Sequence, residues 1–146
     1  MPYLLRITLI ALALLGTVSC TSKPIQNPDR TLHASIHSDR AQMQQAIVKA
    51  LIGRGWTVQK ITPQLVQAQI TVREQYHAEI DIPYSANHYQ IVYRDSSGLD
   101  YKDGKIHKNY IRWVRLLDMG IVRDLKDNQN ERTARQLSEA ALMNPQ

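Results

Sequence analysis

Between Leu65 and Arg94 the chain alternates apolar and polar residues three times over. Val66, Ala68, Ile70 and Val72 fall on one face, with Gln67, Gln69, Thr71 and Arg73 on the other. Tyr76, Ala78, Ile80, Ile82 and Tyr84 then oppose His77, Glu79 and Asp81. Tyr89, Ile91 and Tyr93 oppose His88, Gln90 and Arg94, and Val92 breaks the rule. A period of two is the signature of a strand with one buried face. Short connections between such strands mean an antiparallel sheet, buried on one side and wet on the other. Trp56 to Ile61, closed by the turn Thr62-Pro63-Gln64, supplies a shorter fourth strand. Pro83 has no N–H for a ladder, which places it at a strand end or an edge.

Helical spacing flanks the strands. Met43, Ile47, Ala50, Leu51 and Arg54, widened by Ala46, Val48 and Ile52, predict a helix over 39–53. Ser38 is the expected N-cap, Asp39 suits the positive helix end, and Gly53 or Gly55 is the expected stop. Asp95 to Lys108 reads as a loop, with turn signals at Ser96-Ser97-Gly98 and Asp103-Gly104. Ile111, Val114, Leu117, Ile121 and Leu125 predict a second helix over 109–126. Trp113 and Leu116 beside that stripe make its apolar surface broader than one sheet contact requires. Asn130 is the expected cap of a weaker third helix or tail over 127–146, with Ala134, Leu137 and Ala141 on one side. The order predicts an α+β fold, a four-stranded antiparallel sheet with one face covered by an N-terminal and a C-terminal helix. The expected core is Met43, Ile47, Leu51, Trp56, Val58, Ala68, Ile70, Val72, Ile80, Ile82, Ile91, Tyr93, Val114, Leu117 and Ile121.

The amino end is of a different kind. Arg6 is the only charge before Cys20, Ile7 to Leu15 is apolar except for Thr8, and small or modest residues follow. That is the order of an export signal. A membrane-spanning helix needs roughly 20 apolar residues, more than this run provides. Thr17-Val18-Ser19-Cys20 resembles the lipobox of bacterial lipoproteins, with Thr17 where Leu is usual. The resemblance implies a signal over 1–19, cleavage before Cys20, and acylation of the Cys20 thiol and the new terminus. Thr21 stands where retention in the inner membrane would show Asp, so it also implies the outer membrane. Three acyl chains would anchor the chain nearly permanently, since each buried CH₂ contributes about 0.8 kcal/mol.

Loss of residues 1–19 leaves 127 residues, enough for one domain with a real core. Cys20 is the only cysteine, so no disulfide within the chain can staple the fold. The net charge of +5 falls by one with Arg6, a mild excess far from that of a nucleic-acid-binding tail. Thr21 to Ser38 holds Lys23-Pro24 and Asn27-Pro28 and no sustained apolar period. Residues 20–38 therefore read as a lipidated cysteine and a flexible tether, spanning about 23 Å as a coil, ahead of a domain over 39–126.

From Trp56 to Leu117 the chain also resembles a group of small proteobacterial proteins described as lipoproteins. The residues concerned are Gly55-Trp56, Tyr93-Arg94-Asp95-Ser96, Leu99, Tyr101, Ile106-His107, Tyr110, Trp113 and Leu117. The stretch is a little under half the chain. It implies the envelope compartment and supplies no catalytic residues.

Four sets of side chains are candidates for function. Asp95, Ser96, Asp100 and His107 share a polar loop, but a hydrolase triad is defined by geometry and no Gly-x-Ser-x-Gly elbow is present. The plainer reading makes Asp95 and Ser96 turn-formers, and His107 or Asn109 the cap of the second helix. Lys102, Lys105, Lys108, Arg112 and Arg115 interleave with Tyr101, Tyr110 and Trp113. In the envelope such a set suits an anionic partner, lipid phosphate or an acidic protein surface, and not nucleic acid; the plainer reading is a solvated helix face. The wet sheet face carries Gln67, Gln69, Arg73, His77, Glu79, His88, Gln90 and Arg94, as a binding floor or as any one-sided sheet would. His33 with His37, or His77 with His88 and Glu79, lacks a dedicated metal-ligand pattern.

The sequence thus predicts a non-enzymatic lipoprotein with no cofactor and no metal. It is anchored at Cys20 in the outer membrane facing the periplasm, and binds another envelope component, protein or lipid. The candidate surface is Tyr101, Lys105, Lys108, Arg112, Trp113, Arg115 and Leu116. A carrier of a small apolar ligand or lipid is the alternative and predicts a cavity of roughly 300 Å³. A small hydrolase using the Asp95–His107 loop ranks last.

Overall fold

The computed structural model describes residues 21–143. Its strands are β1 (Ser22–Pro24), β2 (Asp29–Thr31), β3 (Thr57–Ile61), β4 (Leu65–Val72), β5 (Tyr76–Pro83), β6 (His88–Gln90), β7 (Val92–Ser97) and β8 (Lys105–His107). Its helices are α1 (Arg40–Gly53) and α2 (Lys108–Met143). The fold is α+β, and the alternating segments form an antiparallel four-stranded sheet in the order β3-β4-β5-β7. Val66, Ala68 and Ile70 on β4 and Ala78, Ile80 and Ile82 on β5 are buried as the alternation predicts, and Pro83 ends β5.

The single strand expected over Tyr89 to Arg94 is two strands. β6 leaves the main sheet to pair with β2, and β7 joins β5. Ile91 at the junction donates its N–H to the Pro28 carbonyl at 2.8 Å. Val92 broke the alternation because the chain changes partners there. Arg94 is then the extra residue of a bulge against Glu79 and Ile80, as Gln59 is on β3. Bulges re-aim side chains, and these two meet: the Arg94 guanidinium donates to Gln59 Oε1.

The flexible tether expected over Thr21 to Ser38 is corrected. β1 pairs with β8, Ser22 opposite His107, and β2 pairs with β6, Asp29 opposite Gln90. Ile25, Leu32 and Ile36 pack against the core. Strands of three residues are too short to show a period, and their apolar contacts sit in the connections between them.

α1 ends almost where expected, but its cap is Asp39 and not Ser38. The Asp39 carboxylate accepts the Gln42 N–H at 2.8 Å, and Gln42 Oε1 accepts the Asp39 N–H at 3.0 Å, a capping box. At the other end Gly55 sits at φ +80, Trp56 donates its N–H to Leu51, and Gly55 donates to Ile52. This is the left-handed closing motif that favours glycine.

The second and third helices are one. α2 runs 36 residues, about 54 Å, straight through Asn130. After Gly120 it contains no glycine or proline to stop it. α1 lies against β3, β4 and α2, with Ala50 facing Gly120 and Lys49 Nζ 3.5 Å from the buried Asp124 carboxylate. Most of the expected core is buried; Val58, Val72 and Tyr93 are only partly so. The core also takes in Tyr84 and Tyr89, which the alternation had put on the apolar face, and Leu99, Ile106 and Tyr110, which no pattern picked out.

Candidate functional site

Lys108 opens α2, and His107 caps it: His107 Nδ1 accepts the Asn109 N–H at 3.2 Å. Lys108, Arg112 and Arg115 follow at i, i+4 and i+7, which places them on one helix face, all exposed. With Lys23 of β1, Asn109 and Ile111 they line an open groove of about 270 Å³. Lys105 lies on β8 opposite Pro24. Tyr101 is apart from these, stacked on Tyr93 with ring centroids 4.7 Å apart. Trp113 and Leu116 are half-buried, and Trp113 packs against the core, so neither is the spare apolar surface expected of it. The large exposed apolar residues of α2 are Met119, Leu137, Leu142 and Met143.

The loop expected over Asp95 to Lys108 is shorter, since β7 runs to Ser97 and β8 begins at Lys105; the end of β7 and the turn after it, from Tyr93 to Tyr101, border an open groove of about 710 Å³. The candidate triad members have separate partners. Ser96 Oγ is 2.9 Å from the Tyr93 hydroxyl, and Asp95 Oδ1 accepts the Ser96 N–H at 2.8 Å. His107 caps α2 and stacks on Tyr76. His107 thus has the cap role of the plainer reading, whereas Asp95 and Ser96 are not turn-formers: they lie in β7, paired with Glu79 and Ala78.

On the wet face of the main sheet the polar groups satisfy one another. Arg94 donates to Glu79 and Asp81 at 3.0 Å each, Gln67 to Asp81 at 3.0 Å, and Gln59 to Gln69 at 2.8 Å. His77 lies between Thr71 and Glu79. His88 is not with them: on β6 it meets Asp29 at 2.6 Å. His33 Nδ1 is 2.9 Å from Ser35 Oγ. Among the described residues no group of three His, Cys, Asp or Glu side chains is placed to hold a metal ion.

A buried cluster around Asp118 went unread in the sequence. Asp118, on α2, is 3% exposed. Its carboxylate accepts from Arg30 Nη2 at 2.6 Å, Arg30 Nε at 3.1 Å and the Tyr89 hydroxyl at 2.8 Å. Two open grooves, of about 480 and 390 Å³, lie along α2 and both take in Arg30 and Asp118. The only signal was an acid next to the core position Leu117, which a helix face normally leaves in solvent.

Burial, reinforced by the hydrogen bond and charge of Asp118, pushes the Tyr89 phenol far above its ordinary 10. Burial does the same to Tyr110, whose hydroxyl has no hydrogen-bond partner among the described residues. Above that pH the unfolded chain gives up both protons and the folded chain keeps them. The folded state then binds more protons, so stability falls as pH rises past about 10, by about 1.4 kcal/mol per unit for each tyrosine. Denaturant melts from about pH 9 to 11 should show this slope, and Tyr89→Phe with Tyr110→Phe should flatten it.

Cys20 and the signal expected over 1–19 lie outside the described residues. Among the described residues no helix is long and apolar enough to cross a membrane. No family model matches the chain, and no curated protein matches it either.

Proposed function

We propose that this chain is a non-enzymatic envelope lipoprotein. It is anchored through Cys20 in the outer membrane with its domain toward the periplasm, and it presents the far end of α2 to another envelope component. In this reading α1 and α2 together cover the apolar face of the main sheet, and their residues share its buried cluster.

The observation that carries the reading is the exposed end of α2. From Thr133 to Met143 every residue is exposed, about three helical turns with no core beneath them. Ala134, Leu137 and Ala141 recur there at i, i+3 and i+7. A helix end with such a stripe is marginal alone and gains by lying in an apolar groove of a partner. The anchor end supports the same arrangement. The Lys108 N–H donates to the Thr21 carbonyl at 2.9 Å, so Thr21, the residue after Cys20 in the sequence, adjoins the start of α2 while the exposed stripe lies at its far end. The carrier alternative draws little support from the grooves described, which are open and, apart from a few apolar residues such as Met119 and Val122, bordered by charged or polar side chains.

A photo-crosslinking residue at position 137 should capture one recurrent envelope protein in intact cells. Leu137→Glu in a chain labelled instead at position 141 should abolish that capture without changing the melting temperature. Capture of nothing recurrent, or capture indifferent to Leu137→Glu, would count against the reading. The anchor is checked separately: the mature terminal peptide should carry Cys20 with the added mass of its acyl groups.

A further inference from the structure

We propose that Lys23, Lys108, Arg112 and Arg115 form a docking surface for an anionic phospholipid bilayer, the same bilayer that holds the lipid on Cys20. The proposal rests on the reading of Cys20 as the lipidated residue.

Position is the first argument. Thr21 is hydrogen-bonded to Lys108, and Cys20 is its immediate neighbour in the sequence. With residues 22–24 and 29–31 paired into strands, no length of free chain remains to hold the domain off the bilayer. Whatever surrounds the start of α2 therefore faces the headgroups.

Charge is the second. The groove borders on four cationic side chains and no carboxylate. Among the described residues none of the four forms an ion pair, whereas Arg30, Lys49 and Arg94 do. The positive end of the α2 dipole adds to the same field. Each basic residue held near an anionic leaflet raises its occupancy about fivefold, and the effect dies away within about 10 Å at ordinary ionic strength. Only residues pressed close by the anchor benefit, and these four are.

The test uses the full lipidated chain reconstituted in phosphatidylcholine vesicles with or without phosphatidylglycerol. An impermeant amine-acylating reagent labels the exposed lysines, and mass spectrometry reads each site. Lys60 and Lys126, remote from the groove, serve as internal references. Lys23 and Lys108 should label about fivefold more slowly on the anionic vesicles, and the references should not change. High salt, or the double change Arg112→Gln and Arg115→Gln, should remove the protection of Lys108. Equal labelling on both vesicles would overturn the proposal. Protection produced on neutral vesicles by inorganic phosphate alone would overturn it in favour of a soluble anion. The terminal peptide in the same digest reports the lipid independently: an unmodified Cys20 removes the anchor reading and this proposal together, whereas a lipidated Cys20 with unprotected lysines removes the proposal only.

Discussion

Gly98→Ala is expected to cost about 3 kcal/mol of folding stability. Gly98 follows β7 at φ +70, where a side chain is strained. A Cβ there would lie 2.1 Å from the carbonyl oxygen of Gln75 and 3.2 Å from its carbon. Neither side can retreat cheaply. Gln75 closes the β4–β5 hairpin, whose tip already holds Arg73 and Glu74 at φ 55, and Val72 and Tyr76 pair across its base. On the other side Ser97 is paired with His77, and Leu99 is buried with its carbonyl accepting the His107 N–H at 2.8 Å. Gly104→Ala is the control. Gly104 has φ +72 but nothing within 4 Å of an added Cβ, so its loss reports backbone strain alone, about 1 kcal/mol. The difference between the two variants measures the contact with Gln75. Thermal melts should separate them by several degrees, at about 4 °C per kcal/mol. A Gly98→Ala variant no less stable than Gly104→Ala would refute the account.

That contact marks where sequence reading stops. The Gly98 turn was legible as a turn, since glycine beside serines is local chemistry. What presses against it was not, because Gln75 arrives from another hairpin. The same division runs through the molecule. β4 and β5 were legible residue by residue because eight-residue strands repeat a two-residue period several times. β1 and β2 were not, because backbone pairing of three residues leaves no pattern in side chains. The length of α2 was underestimated by trusting Asn130 as a cap, when a helix with no stop signal simply continues. Of the candidate surface, Lys108, Arg112 and Arg115 were found as basic residues interleaved with aromatics, and Lys23 was missed because its strand was. Trp113 and Leu116 were read as spare because helical spacing alone does not show how far each is covered, and both are half-buried.

The clamp that holds this segment gives the other large expected effect: Asp118→Ala should cost about 3 kcal/mol. Asp118 joins β2 through Arg30 and β6 through Tyr89 to α2. Its removal leaves the buried Tyr89 hydroxyl with only the residue-118 main-chain carbonyl, at 3.4 Å. Arg30→Met should cost less, about 1–2 kcal/mol. The Arg30 side chain is 53% exposed, so solvent already screens it, and water in the adjoining groove can reach the carboxylate it leaves behind. Tyr89→Phe should cost about 1 kcal/mol, one hydrogen bond with the ion pair intact. Denaturant melts give the order, with Asp127→Ala, exposed on the same helix, as the reference. An Asp118→Ala variant as stable as Asp127→Ala would show that no clamp exists. The clamp also bears on the membrane. If the three-residue β1 is lost along with β2, residues 21–31 become free chain, and about ten residues of coil span about 17 Å, beyond the reach of headgroup charge at ordinary ionic strength. Asp118→Ala should therefore speed amide exchange at Asp29–Thr31 and also weaken the protection of Lys108 on anionic vesicles, although residue 118 lies ten positions along the helix from it. Faster exchange with undiminished protection would place the hold on the bilayer in β1 alone.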